Sequence, residues 1–232
     1  MIKFLKQPMM RRVLYALAPI YLYAIWMYGY RPLLAALVSF AFGIAAEWVF
    51  ERKKSGKVSE AALVTCALYS LAFPPATPLW ILAVGIVFSM AMAKGVYGGF
   101  GRNIFNPAIA GRAFVYISFA IALAAGYRSF GNFGIGAIDA ASSATPLGAM
   151  RAGGSVPLLD LILGQRSGAM GEGMILLILG AGVYLAATKT ASWRIMVGSL
   201  AAAAALTLGL KALGVSKALP VESLLAGSYL FM

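Results

Sequence analysis

One short stretch, Asp139-Ala-Ala-Ser-Ser-Ala-Thr-Pro, combines residues that could do chemistry. Thr145 offers a hydroxyl among small neighbours; Ser142, Ser143 and Ala144 crowd nothing, so a bulky group can approach it. Pro146 holds Thr145 out of helical geometry, and Asp139 places an acid six residues upstream. By themselves these residues also describe an ordinary Ser/Ala/Thr turn, and Asp139 a solvated loop acid. A second stretch, Gly98-Gly-Phe-Gly-Arg-Asn-Ile-Phe-Asn-Pro107, is a glycine-rich entry into a helix. Pro107 suits the first turn and Asn106 the cap. The free N–H groups of such a terminus suit an anion or a ring carbonyl. Arg112, further along that helix, is a charge inside an apolar segment. It is expected to face protein or a cavity, with Glu47 one candidate partner, or to snorkel to the inner headgroups.

Other chemistry is excluded by composition. The chain has no histidine and one cysteine, Cys66, which removes His-ligated haem, the usual zinc sites, His general bases and any internal disulfide framework.

The elements that must position these residues are apolar. Of 232 residues, 62% are hydrophobic and 11% charged, which excludes both a solvated globule and a disordered chain. The hydrophobic pattern predicts spans at 13–30, 32–50, 78–95, 107–126, 173–188 and 195–213, with a last apolar stretch from 219. Residues 60–73 are apolar but too few to span. They end in Phe-Pro-Pro-Ala-Thr-Pro, which cannot continue a helix. Such a break must be buried in protein or line a cavity. Two shorter readings follow: Gly164-x-x-x-Gly168 allows close packing, and the Ala-rich run 201–205 reads as tight helix packing. Tyr97, Phe100 and Phe105 read as an interface belt, with a cofactor cavity the other reading.

The net charge of +12 reports membrane orientation rather than nucleic-acid binding, because the basic residues flank apolar segments. With the N-terminus in the cytoplasm, the inner segments hold Lys3, Lys6, Arg11, Arg12, Arg52, Lys53, Lys54, Lys57, Lys94, Arg102, Lys189 and Arg194. The outer ones hold Arg31, Arg128, Arg151, Arg166, Lys211 and Lys217, diluted by Asp139, Asp160, Glu172 and Glu222. That imbalance places residues 127–172 outside.

Asp139-x-x-Ser142-Ser143-Ala144-Thr145 resembles the Asp-x-x-(Ser/Thr)-(Gly/Ser)-Ala-Thr signature read by bacterial flavin transferases. Gly98-Gly-Phe-Gly-Arg-Asn-Ile-Phe-Asn-Pro-Ala-Ile-Ala-Gly-Arg-Ala-Phe114 resembles the most characteristic stretch of the NqrB/RnfD family. Leu161-Ile-Leu-Gly-Gln-Arg-Ser-Gly-Ala-Met-Gly-Glu172 and Leu224-Leu-Ala-Gly-Ser-Tyr-Leu-Phe-Met232 resemble later segments of it, in the family's order. Two departures stand out. Gly171-Glu-Gly-Met174 replaces the more usual Gly-Glu-Thr-Ser. The family pattern also runs on, after Leu-Leu-x-Gly, into an Ala-Thr-Asp-Pro segment and further helices, so the resemblance is to a short or C-terminally truncated member. The absence of the NqrB N-terminal extension brings it nearer to RnfD.

The resemblance implies FMN carried through a phosphoester on Thr145. Asp139, Ser142, Ser143 and Ala144 would form the recognition stretch, and Asn103, Asn106 and Arg112 would be further cofactor-binding candidates. Arg112 would reach a flavin phosphate, and a second, non-covalent flavin such as riboflavin would lie near 98–112. It implies an all-α polytopic bundle with broken helices, the first half of an inverted-repeat, urea-transporter-like architecture with part of the second. A weak echo between Glu60–Leu68 and Glu222–Leu230 is in keeping with that. The expected organisation is 1–126 as a first repeat, 127–172 as the outer segment and 173–232 as a partial second repeat.

The implied function is that of an Rnf-like membrane subunit, which completes no reaction alone. Its FMN relays electrons at the outer face between other subunits, coupling ferredoxin/NAD chemistry to Na⁺ or H⁺ transport. Iron–sulfur and flavin subunits, a flavin transferase and the lipid bilayer are the implied partners, without nucleic acid, and a bacterial or archaeal inner membrane is the implied location. The rival readings are a urea-transporter-like carrier and a stand-alone flavinylated electron-transfer protein.

Overall fold

The computed structural model describes residues 3–52, 56–127, 162–164, 167–213 and 231. It is an all-α membrane helical bundle with broken helices. The helices are α1 (Pro8–Tyr28), α2 (Arg31–Glu51), α3 (Glu60–Leu71), α4 (Leu79–Phe88), α5 (Pro107–Ser118), α6 (Ala120–Ala124), α7 (Ile175–Ala187) and α8 (Trp193–Ala212). Two of them, α2 and α8, are long and apolar enough to cross a membrane.

The sequence pattern treats 107–126 as one span, but the helix breaks at Phe119, whose φ of −128° and ψ of 35° lie outside helical values. Nor is the fold purely helical. Strand β1 (Lys3–Leu5) pairs in parallel with β2 (Lys57–Ser59), tying the N-terminus to the α2–α3 connection. Ladders this short are held by what flanks them. Gln7 Oε1 accepts from Ala61 N at 3.0 Å, and Gln7 N donates to Glu60 Oε2 at 2.6 Å. Gln7 thereby satisfies an otherwise orphaned N–H in the first turn of α3, a service that Ser59 at the cap position does not perform.

Helix α4 runs on into a π-helical turn, Ser89–Gly95. The wider turn places Lys94 among buried residues at the end of the bundle where α2 finishes and α3 begins. Glycines let the central helices approach. A Cβ on Gly85 would fall on Tyr69 Oη and Val115 Cγ2, and one on Gly111 would meet Ser89 Cβ at 2.7 Å.

The break after α3 is buried, Leu71 through Pro75 inclusive. Its freed backbone groups find partners, as they must away from water. Thr77 N donates to Pro74 O at 3.1 Å, Ala76 N to Gly126 O at 3.1 Å, and Met170 N to Phe73 O at 3.0 Å. The two chain segments that flank residues 128–161 therefore both dock on the broken helix. Packing thins out beyond: α7 lies along α1 and buries only Ile175 and Ile178, and α8 buries nothing.

Candidate functional site

Helix α5 starts as its sequence dictates: Pro107 occupies the first turn, and Asn106 Oδ1 accepts from Ala108 N at 3.0 Å. Arg112 and Tyr116 are four residues apart and share a face, and the guanidinium carbon stands 5.0 Å from the Tyr116 ring centroid. Arg112 Nη2 donates to Glu172 Oε1 at 3.1 Å and weakly to Tyr116 Oη at 3.4 Å. Tyr116 Oη lies 3.1 Å from Tyr127 Oη, and the Tyr116 ring stacks on Phe73 at 6.0 Å. Burial, reinforced by Tyr116, pushes the Tyr127 phenol well above its ordinary value, so it stays protonated. The Arg112 side chain is 15% exposed and Glu172 9%; Arg112 Nη1 is buried and has no hydrogen-bond partner among the described residues. On the returning side, Gly171 sits against Leu71 and Phe231. Gly164 (φ +77°) lies so close to the Gly173 backbone that no side chain fits.

This cluster corrects two expectations about Arg112. Its partner is Glu172, not Glu47, and it turns to a buried carboxylate rather than to headgroups. Glu172, counted in the sequence as one of the acids diluting an outer segment, is instead buried in an ion pair. Glu47 belongs to a second cluster. Its Oε1 accepts from Lys94 Nζ at 2.8 Å, from Ser59 Oγ at 2.6 Å and from Ser59 N at 3.1 Å. Lys94 Nζ also donates to Ser59 Oγ at 2.8 Å, which explains why Ser59 does not cap α3. Lys94 and Glu47 are 4% and 3% exposed, and Glu47 Oε2 has no hydrogen-bond partner among the described residues. A third pair, Arg11 with Glu60 at 2.6 Å, lies nearer the surface.

Of the residues singled out in the sequence, Asp139, Ser142, Ser143, Ala144 and Thr145 lie outside the described residues. Asn103 Nδ2 donates to Phe105 O at 3.0 Å on an exposed loop, and Asn106 is engaged as the cap. No hydrogen bond among the described residues joins either asparagine to Arg112. Tyr97, Phe100 and Phe105 are exposed, with Tyr97 and Phe105 edge to face at 6.5 Å. Lys94, Ser59, Tyr116 and Tyr127 were not singled out. The chain has only seven acids, so asking which cation each buried acid must face would have raised Lys94 and Glu172. No residue type in Ser89–Gly95 announces the π-turn.

A family model described as "NQR2, RnfD, RnfE family" matches residues 5–232. The B subunit of the Na(+)-translocating NADH-quinone reductase of Azotobacter vinelandii is 37% identical over 168 residues, covering 69% of this chain and 40% of that protein. The protein of the same name from Chromohalobacter salexigens is 36% identical over 162 residues, covering 70% and 39%. That from Pseudomonas aeruginosa strain LESB58 is 34% identical over 185 residues, covering 77% and 44%. The chain thus spans about two fifths of the length of these curated relatives.

Proposed function

The chain belongs to the NQR2, RnfD, RnfE family, and on that premise we propose that it is a membrane subunit of an ion-translocating redox complex, with FMN esterified to Thr145. One observation carries this reading: the signature Asp139-x-x-Ser142-Ser143-Ala144-Thr145 stands between two other family stretches in the family's order. A flavin bound there would supply exchange of one or two electrons, joining two-electron carriers to one-electron centres. In the reading, Thr145 Oγ becomes the ester oxygen: it bonds to the FMN phosphorus of a flavin dinucleotide, AMP leaves, and the hydroxyl proton is lost. A flavin transferase conducts that step, with Asp139 as a recognition or charge-neutralising residue.

The described residues fit a fixed platform for such a segment. Arg112 holds Glu172 where the chain returns, Tyr116 holds Tyr127 where it leaves, and both lie on α5. Arg112 is therefore a positioning residue; with Nη2 committed to Glu172, any direct contact with a phosphate would fall to Nη1. A second, non-covalent flavin near 98–112 would meet the exposed rings Tyr97, Phe100 and Phe105. Among the described residues Asn103 Nδ2 and Asn106 Oδ1 are already bonded, which leaves Asn103 Oδ1 and Asn106 Nδ2 for it. The N-terminus then lies in the cytoplasm and residues 127–172 outside, and ferredoxin or NADH, iron–sulfur and flavin subunits, and Na⁺ or H⁺ complete the assembly.

The test is mass spectrometry of the peptide containing Thr145, from protein made together with a flavin transferase and from native membranes. The expected result is the mass of an FMN phosphoester, absent from Thr145→Ala. An unmodified peptide from native membranes overturns the reading.

A further inference from the structure

Helices α1 and α7 pack together, yet an open cavity of about 510 Å³ remains between them. The facing residues leave room for it: Pro19 lies inside α1, and Gly180 presents no side chain from α7. Leu176 lines one end, and Tyr15 and Tyr184 the other. From Leu176 to Tyr184 is eight helical residues, about 12 Å of apolar groove. One turn past the tyrosines its character changes. Arg12 Nη1 donates to Thr188 O at 2.7 Å, bridging the two helices, and Lys189 follows in a left-handed conformation with φ 54°.

Arg12 and its neighbour Arg11 have different fates. Arg11 gives Nε and Nη2 to Glu60, whereas Arg12 is exposed and, like the exposed Lys189, makes no ion pair among the described residues. The groove is thus an apolar slot with a cationic mouth, and no acid among the described residues lines it.

We propose that this groove binds an anionic glycerophospholipid, one acyl chain lying over Pro19 and Gly180 and the phosphate at Arg12 and Lys189. Charge complementarity selects the headgroup: guanidinium N–H groups left free at the mouth are phosphate donors. Tyrosines at the boundary between apolar slot and charged mouth suit the depth at which headgroup meets acyl chain. The rim formed by Tyr15, Leu176 and Tyr184 keeps another helix's backbone away from Pro19 and Gly180, while a flexible chain passes between. Lipid in this groove is independent of the flavin.

Gly180→Leu is the decisive variant. A Cβ there meets nothing within 4 Å, so the new side chain fills the slot without disturbing the packing of α7 on α1. The full chain is reconstituted in phosphatidylcholine nanodiscs containing phosphatidylglycerol with a photoreactive acyl chain, and in parallel with the equivalent photoreactive phosphatidylcholine. Labelling is expected on the peptides holding Tyr15 and Leu176–Tyr184, about fivefold stronger for phosphatidylglycerol. Arg12→Gln with Lys189→Gln should bring the two lipids level, and Gly180→Leu should remove labelling by both. Equal labelling of the wild type by the two lipids, meaning an unselective annulus, overturns the proposal. So does labelling that Gly180→Leu leaves intact. No label on either helix also overturns it, and is the outcome if a second copy of the chain or another protein segment covers the groove.

Discussion

Among the described residues two buried ion pairs stand out, and they are built differently. Glu47–Lys94 joins the end of α2 to the π-helical turn after α4 and is closed over by Ser59, with both side chains less than one-twentieth exposed. Arg112–Glu172 joins the bundle to a segment that returns after a long excursion; it is longer, more open, and shares its space with two tyrosines. Burying ions carries a desolvation penalty that a good pair only about offsets. The first pair therefore fixes geometry: it sets the depth of the π-turn and the start of α3. The second fixes attachment, because it stands beside the broken helix on which both flanks of residues 128–161 dock.

The sharpest way to break this contrast is to remove one partner from each pair. Lys94→Met takes the cation from Glu47 in the interior and leaves it only its Ser59 bonds, which should cost about 3–5 kcal/mol. Unfolding of the detergent-solubilised protein, followed by circular dichroism against denaturant, measures it. The double variant Glu47→Leu/Lys94→Met removes both charges and should recover most of that loss. If it does not, the cluster contributes something other than charge compensation.

Arg112→Met should cost less, about 1–3 kcal/mol, because this pair is less deeply buried than Glu47–Lys94 and Glu172 keeps its bond from Ala169 N. Its more telling signature is local. Limited proteolysis should cut between Tyr127 and Glu172 faster than in the wild type, while Lys94→Met at matched stability should not change the ratio of that cut to cuts elsewhere. Equal ratios would erase the distinction between a pair that fixes geometry and one that fixes attachment.

Much of the helical frame was legible, because 3.6-residue apolar segments, the double proline after Phe73 and the Asn106-Pro107 entry are local signals. The break after α3, its burial and the cap of α5 follow from backbone chemistry that any chain must obey. The partners of the charges were not legible. Arg112 lies 60 residues from Glu172 and Lys94 lies 47 from Glu47, and hydropathy says where a charge is costly but not which opposite charge compensates it. The π-turn and the kink at Phe119 escaped for a related reason: tertiary packing imposes them on sequence that would also form a straight α-helix. For the candidate cofactor residues, the sequence placed Asn106 correctly as a cap.

Asn106→Ala tests whether the two pairs are separable at all. Asn106 caps the helix that begins beside Ser89, whose hydroxyl donates to Pro107 O, and that carries Arg112 about 9 Å further on. Loss of the cap should cost about 1 kcal/mol. In a double-mutant cycle with Arg112→Met, the two costs should add to within about 0.5 kcal/mol. Additivity means that fraying of α5 stops short of Arg112, so the attachment of the returning segment does not sense how the helix starts. A larger coupling would mean that the first turn and the Glu172 contact melt together. The Lys94 end and the Arg112 cluster would then be two ends of one cooperative element.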